Sequence, residues 1–217
     1  MRAIDRAVKL VIAKHGLHNW LVDFPWLKGY IGDPRSAVWF IGENPSMQGV
    51  VRVHSRDGRK SENMQWNSHD GDRLLREAIT EAKLKQGSPD ANVGWHCYIT
   101  NAIKGPEVVA ERNARKRTAT YWKTQAEIWM PVLQLQIELG NPRVLVALGG
   151  QSTKILHHMV KVGLRVPVVE QVHHYSYIIL RPEAGTNRGP RHPDRVREFK
   201  ESILAISRKY GSKRRNG

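Results

Sequence analysis

A three-layer α/β/α fold around a central, mostly parallel four-stranded sheet is predicted by three observations. Short, wholly apolar runs, residues 37–41 and 144–148, read as strands buried on both faces, because they show no polar alternation. Each run stops abruptly at glycine, Gly42 after the first and Gly149-Gly150 after the second. Stretches of helical periodicity separate the runs. Alternation of this kind implies parallel strands, right-handed crossovers and helices on both faces of the sheet.

In chain order, residues 2–14 place Ile4, Ala7, Val8, Val11 and Ile12 at helical spacing and end near Gly16. Residues 37–41 are the first strand. Residues 50–63 lack sustained periodicity and read as a loop longer than one that merely connects elements. Leu74, Leu75, Ala78, Ile79 and Ala82 mark a second helix, and residues 96–103 a second strand. A long helix over 118–139 turns Trp122, Trp129, Leu133 and Ile137 toward the core and is expected to bend at Pro131. A third strand follows at 144–148, a helix at 152–162 and a fourth strand at 166–172. The last helix runs over 194–207, capped at Pro193-Asp194. With no internal repeat and no linker, residues 1–210 read as one domain, followed by a fraying basic tail over 211–217.

Composition narrows the partner. The 217 residues hold 35 Lys and Arg against 20 Asp and Glu, a formal charge of +15. Such a field attracts phosphate, so a polyanion, most simply nucleic acid, is the expected partner. No stretch has the length of a spanning helix, which argues against a membrane, and residues 1–15 are charged throughout, unlike a signal peptide. The one cysteine, Cys97, excludes an internal disulfide and any cysteine-ligated iron–sulfur cluster or zinc site. A monomer in a reducing cytoplasm, associated with the nucleoid, is the expectation.

Three strand ends carry polar residues where an open α/β sheet presents ligand-binding groups. The first is Gly42-Glu43-Asn44-Pro45-Ser46, in which Gly42 permits a sharp turn and Pro45 fixes the exit. Asn44 is equally a simple turn cap there. The second is Tyr98-Ile99-Thr100-Asn101, leading to Lys104. Burying the Asn101 carboxamide unbonded would cost ~1–3 kcal/mol, so it bonds either neighbouring backbone or a ligand with a donor and an acceptor edge. The third is His173-His174-Tyr175-Ser176-Tyr177. Adjacent histidines in extended chain point opposite ways, and without cysteine or helical spacing they are weak metal ligands, so no metal is assigned.

These segments, with Val144–Gly150, together resemble the uracil-DNA glycosylase superfamily. Gly42-Glu43-Asn44-Pro45-Ser46 is similar to its first motif, a Gly-X-Asn/Asp-Pro turn that positions the attacking water. Tyr98-Ile99-Thr100-Asn101-Ala102-Ile103-Lys104 resembles a segment of its thermostable branch whose asparagine reads the base. The run ending in Gly149-Gly150 is similar to the strand before the next helix, and His174-Tyr175-Ser176-Tyr177 resembles the His-Pro-Ser-Tyr of the last motif. Tyr175 replaces that proline, the loop after the first motif is enlarged, and the cluster cysteines of the thermostable branch are missing. The resemblance is therefore to a divergent branch without the iron–sulfur cluster.

The resemblance implies a monofunctional glycosylase that flips uracil out of DNA, cuts its N-glycosidic bond with a positioned water and leaves an abasic site for base excision repair, with no cofactor. Asn44 would hold the water, Glu43 would either bond an active-site backbone group or act as a second water partner, and His174 would bond the base carbonyl as charge develops. Asn101 would read the base beside the backbone at Gly42, with Ser46 completing the pocket. Trp66, ahead of Trp39, would stack on the base, though packing between loop and helix explains Trp66 nearly as well. Lys104, Arg181, Arg188 and Arg191, with the loop carrying Arg52, Arg56, Arg59 and Lys60, would meet phosphates of double- or single-stranded DNA. Ile178 would wedge into the gap left by the flipped nucleotide.

Two other readings compete: a non-catalytic nucleic-acid-binding protein on the same fold, and a glycosylase for hypoxanthine or xanthine. A nucleotide-binding loop at Gly149-Gly150-Gln151-Ser152-Thr153-Lys154 fails, since a phosphate loop needs glycine immediately before a Lys-Ser/Thr pair.

Overall fold

The computed structural model describes residues 2–17, 31–44, 70–91, 93–105, 119–175, 178 and 191–211. Its elements are α1 (Arg2–His15), β1 (Ile31–Gly32), β2 (Val38–Gly42), α2 (Asp70–Glu81), β3 (Tyr98–Asn101), α3 (Ala119–Gly140), β4 (Val144–Leu148), α4 (Gly150–Lys161), β5 (Val169–Val172) and α5 (Pro193–Tyr210). The sheet has five strands in the order β1-β3-β2-β4-β5. Every pairing is parallel except β1 with β3. The four expected strands are all present, and β1 is the addition. It is two residues long and carries no period by which a strand could be read from sequence.

Alternation along the central strands divides the core into two. Trp39 and Ile41 of β2 and Leu145 and Ala147 of β4 join a cluster with apolar residues of α1, α3 and α4. Val38, Phe40, Val144, Val146 and Leu148 point the other way, into a cluster with α2 and α5. Successive side chains of a strand face opposite sides, so an unbroken apolar run needs a helical layer on each. That is the three-layer arrangement. At the β5 edge the demand relaxes, and Glu170 and Gln171 appear where β2 and β4 at the centre carry only apolar residues and glycine.

Helix α3 runs through Pro131, whose side chain is exposed. A proline inside a helix removes one main-chain hydrogen bond, a loss easier to bear where water reaches the backbone. Helix α5 begins at Pro193 with His192 in the capping position, and no side chain caps it. Ser207 of α5 donates to the Ala82 carbonyl at 2.7 Å, fastening α5 to the end of α2. Parallel pairing throughout β3, β2, β4 and β5 brings all four carboxyl ends to one edge of the sheet, which places the site.

Candidate active site

The centre of that edge is the end of β2. Gly42 lies in register with Asn101 of β3, and a Cβ on Gly42 would fall 2.4 Å from Asn101 Oδ1. Glycine is required here by the close approach of the carboxamide. Beyond the strands the two chains stay joined, since Ala102 N donates to the Gly42 carbonyl at 2.9 Å and Ile103 N to the Glu43 carbonyl at 3.0 Å. From the other side Ser152 Oγ of α4 donates to the Ile41 carbonyl at 2.6 Å. The turn carrying Glu43 and Asn44 is thus anchored from both flanks while both residues remain partly exposed.

Asn101 is buried to 7 % exposure, and Lys104 behind it is fully enclosed. The Lys104 ammonium donates to Thr100 Oγ1 at 2.7 Å and to the Asn101 carbonyl. Burial pushes its pKa well down, because a charged amine in the interior forgoes hydration. The expectation that Lys104 meets phosphate is therefore corrected. Its stem turns inward from the strand end, and its head group braces the main chain that carries Asn101.

At the far side, Gly149 follows β4 with φ +88°, and its amide donates to the Val172 carbonyl of β5 at 2.9 Å. A Cβ there would lie 2.6 Å from His174 Cβ, so glycine answers both the left-handed backbone and the passage of His174. Of the two histidines, His173 is exposed and His174 partly buried, as opposed directions require. The His174 ring packs on Tyr175, with centroids 4.1 Å apart and planes inclined by 36°. In the strand order β3-β2-β4-β5, Asn101 lies on one side of the turn that carries Asn44, and His174, packed against Gly149, on the other.

Two further expectations are corrected. Ile178 is fully buried in the cluster with α2 and α5, because its amide turns back to the Tyr175 carbonyl at 3.1 Å, so it is not an exposed wedge. Trp39, the second choice for stacking, is sealed in the core against Tyr98, with centroids 4.7 Å apart. Arg191 is partly exposed and bonds Glu77 Oε2 of α2 at 2.9 Å. Trp66, Ser46, Arg52, Arg56, Arg59, Lys60, Arg181 and Arg188 lie outside the described residues. Among the described residues, no three His, Cys, Asp or Glu side chains come together as a metal would need.

A family model, the uracil DNA glycosylase superfamily, matches residues 30–205. The chain belongs to the uracil DNA glycosylase superfamily. The match spans all five strands and most of α5, leaving α1 outside as an additional helix packed against α3. Membership supports DNA glycosylase chemistry with DNA as the partner. No individual curated protein matches the chain.

One residue at this edge was not singled out from sequence. Asp72, in the first turn of α2, is 8 % exposed and bonded to the Tyr175 hydroxyl. Burial pushes its carboxyl up to about 7, against the pull of Tyr175 and of the Arg76 guanidinium. From sequence an aspartate there reads as routine complement to a helix N-terminus. The folded protein thus holds this proton more tightly than the unfolded chain, where an aspartate titrates at about 3.9. The resulting stability is complete below about pH 4 and is lost as pH rises through about 7. Asp72→Asn is expected to remove that dependence. Its melting midpoint should match the native protein below about pH 4 and exceed it above pH 7.5, by the equivalent of roughly 3–4 kcal/mol. Thermal denaturation across pH checks this.

Proposed function

We propose that this protein is a monofunctional uracil-DNA glycosylase, which flips uracil out of DNA and hydrolyses its N-glycosidic bond. The observation that carries the reading is the seating of Asn101 against the main chain at Gly42, with Asn44 on the same turn and His174 across the strand ends, in a chain of this superfamily.

In this mechanism the carboxamide of Asn101 meets the donor–acceptor edge of uracil, and the close Gly42 backbone excludes larger bases. As the bond from the anomeric carbon to the base nitrogen breaks, its electron pair leaves with the base and the sugar becomes cation-like. His174 stabilises the charge developing on the base carbonyl. Asn44 holds water beneath the anomeric carbon, where position suffices because the sugar is already electron-poor. The water oxygen bonds to that carbon, its proton passing to solvent or to Glu43. Arg52, Arg56, Arg181 and Arg188 supply phosphate contacts, with Arg191 at the rim beside α2.

The test is a panel of oligonucleotides bearing a single uracil, hypoxanthine or xanthine, single- and double-stranded, treated with the protein in chelator and then with alkali. Uracil should be released at the highest rate, with strand scission only after alkali and no adduct trapped by borohydride. Release of hypoxanthine or xanthine alone would move the base assignment. Binding without release of any base would leave a nucleic-acid-binding protein on this fold.

A further inference from the structure

We infer that Asp72 and Tyr175 are positioning residues for His174, forming a relay from α2 to the imidazole through one hydrogen bond and one ring contact. The inference rests on the role just proposed for His174.

The packing leaves Tyr175 little freedom. On one side is the first turn of α2, where a Cβ on Gly71 would lie 2.1 Å from Tyr175 Cδ2. The tyrosine hydroxyl meets the buried Asp72 carboxyl. On the other side lies the His174 ring, at 4.1 Å between centroids. His174 is in turn backed by Gly149. The imidazole thus sits between a glycine that admits its Cβ and an aromatic ring held by a helix.

Tyr175 faces Asp72 from the segment after β5, and Arg76 acts on it from one turn along its own helix. Among the described residues, Asp90 also acts on Arg76, and the other charged contacts on α2 join Arg73 and Arg191 to Glu77 and Lys200 to Glu81. An ionised Asp72 accepts from the phenol hydroxyl, whereas a protonated one can donate to the phenol oxygen, so the link survives either way. What changes is a negative charge across the ring from His174, and the buried carboxyl makes that change near neutrality. The hydroxyl holds the ring, and the carboxylate biases the imidazole toward its protonated form.

Tyr175→Phe keeps the ring and its contact with Gly71 but removes the hydroxyl, and Asp72→Asn keeps the shape but removes the charge. The first readout is the imidazole nitrogen resonances of His174 through a pH titration of the full chain without DNA. Both variants should lower the His174 titration midpoint by about half a pH unit or more. The second is single-turnover release from uracil-containing DNA, expected to fall about tenfold at saturating DNA with binding within about twofold. A purely structural pair would alter the melting midpoint and leave the His174 titration in place, and that result overturns the inference. If Asp72→Asn does not fold, Tyr175→Phe decides alone. A shifted titration in a protein that releases no uracil supports the relay while refuting the glycosylase reading. Native release with unshifted titrations does the reverse.

Discussion

Asn44→Ala and His174→Ala should each slow base release at saturating DNA by ~10²-fold or more, with DNA affinity little changed. Both predictions follow from where charge develops. Neither side chain is assigned to phosphate, so removing it spares the ground-state complex. Each is assigned to the bond-breaking step, where losing one preorganised donor commonly costs ~10²–10³-fold. The two should differ in character. Without Asn44 the cation-like sugar still forms but water is no longer placed against it, whereas without His174 the departing base carries its charge unaided. Single-turnover cleavage and a separate binding titration make the check. Near-native rates in both would mean that the catalytic pair lies elsewhere, and Glu43, on the same anchored turn, would be the first residue to replace.

The second large effect concerns the glycine at the centre of the edge. Gly42→Ala would set a methyl 2.4 Å from Asn101 Oδ1, well inside contact distance, so the carboxamide or the turn must move. Asn101 is buried, and its main chain is held on both sides by the Ala102 bond to Gly42 and by Lys104. The side chain therefore yields first. A shift of about 1 Å at such a site costs on the order of 10²-fold in rate, and the loss should fall on uracil more than on overall DNA affinity. Asn101→Asp probes the same contact without steric pressure. It replaces a donor by an acceptor, so uracil release should fall and the ratio of cytosine to uracil release should rise. Unaltered base preference in both variants would remove Asn101 from the reading of the base.

How much of this was legible in sequence follows from which forces act locally. The inner strands were readable because burial on both faces leaves an unbroken apolar run, as at Val38–Gly42 and Val144–Leu148. Strand β1 was not, since two residues paired to β3 leave no pattern. At the site, Gly42, Asn101 and Gly149 could be found because each interrupts or ends a largely apolar run where the chain must turn, and His174 because it follows the last strand. Side-chain direction past a strand end is another matter. Lys104 and Ile178 both follow polar motifs and were expected to face DNA, yet both turn into the interior, Lys104 because Thr100 and the Asn101 carbonyl satisfy its ammonium there. The Asp72–Tyr175 contact joins a helix start to a segment distant in sequence, and no spacing rule connects them.

The most direct measurement is the crystal structure of Asn44→Ala bound to DNA containing a single uracil. The expected result is an uncleaved, flipped uracil beside Gly42, its Watson–Crick edge on the Asn101 carboxamide and a carbonyl facing His174. A uracil left in its stack, or seated away from Asn101 and His174, would contradict it.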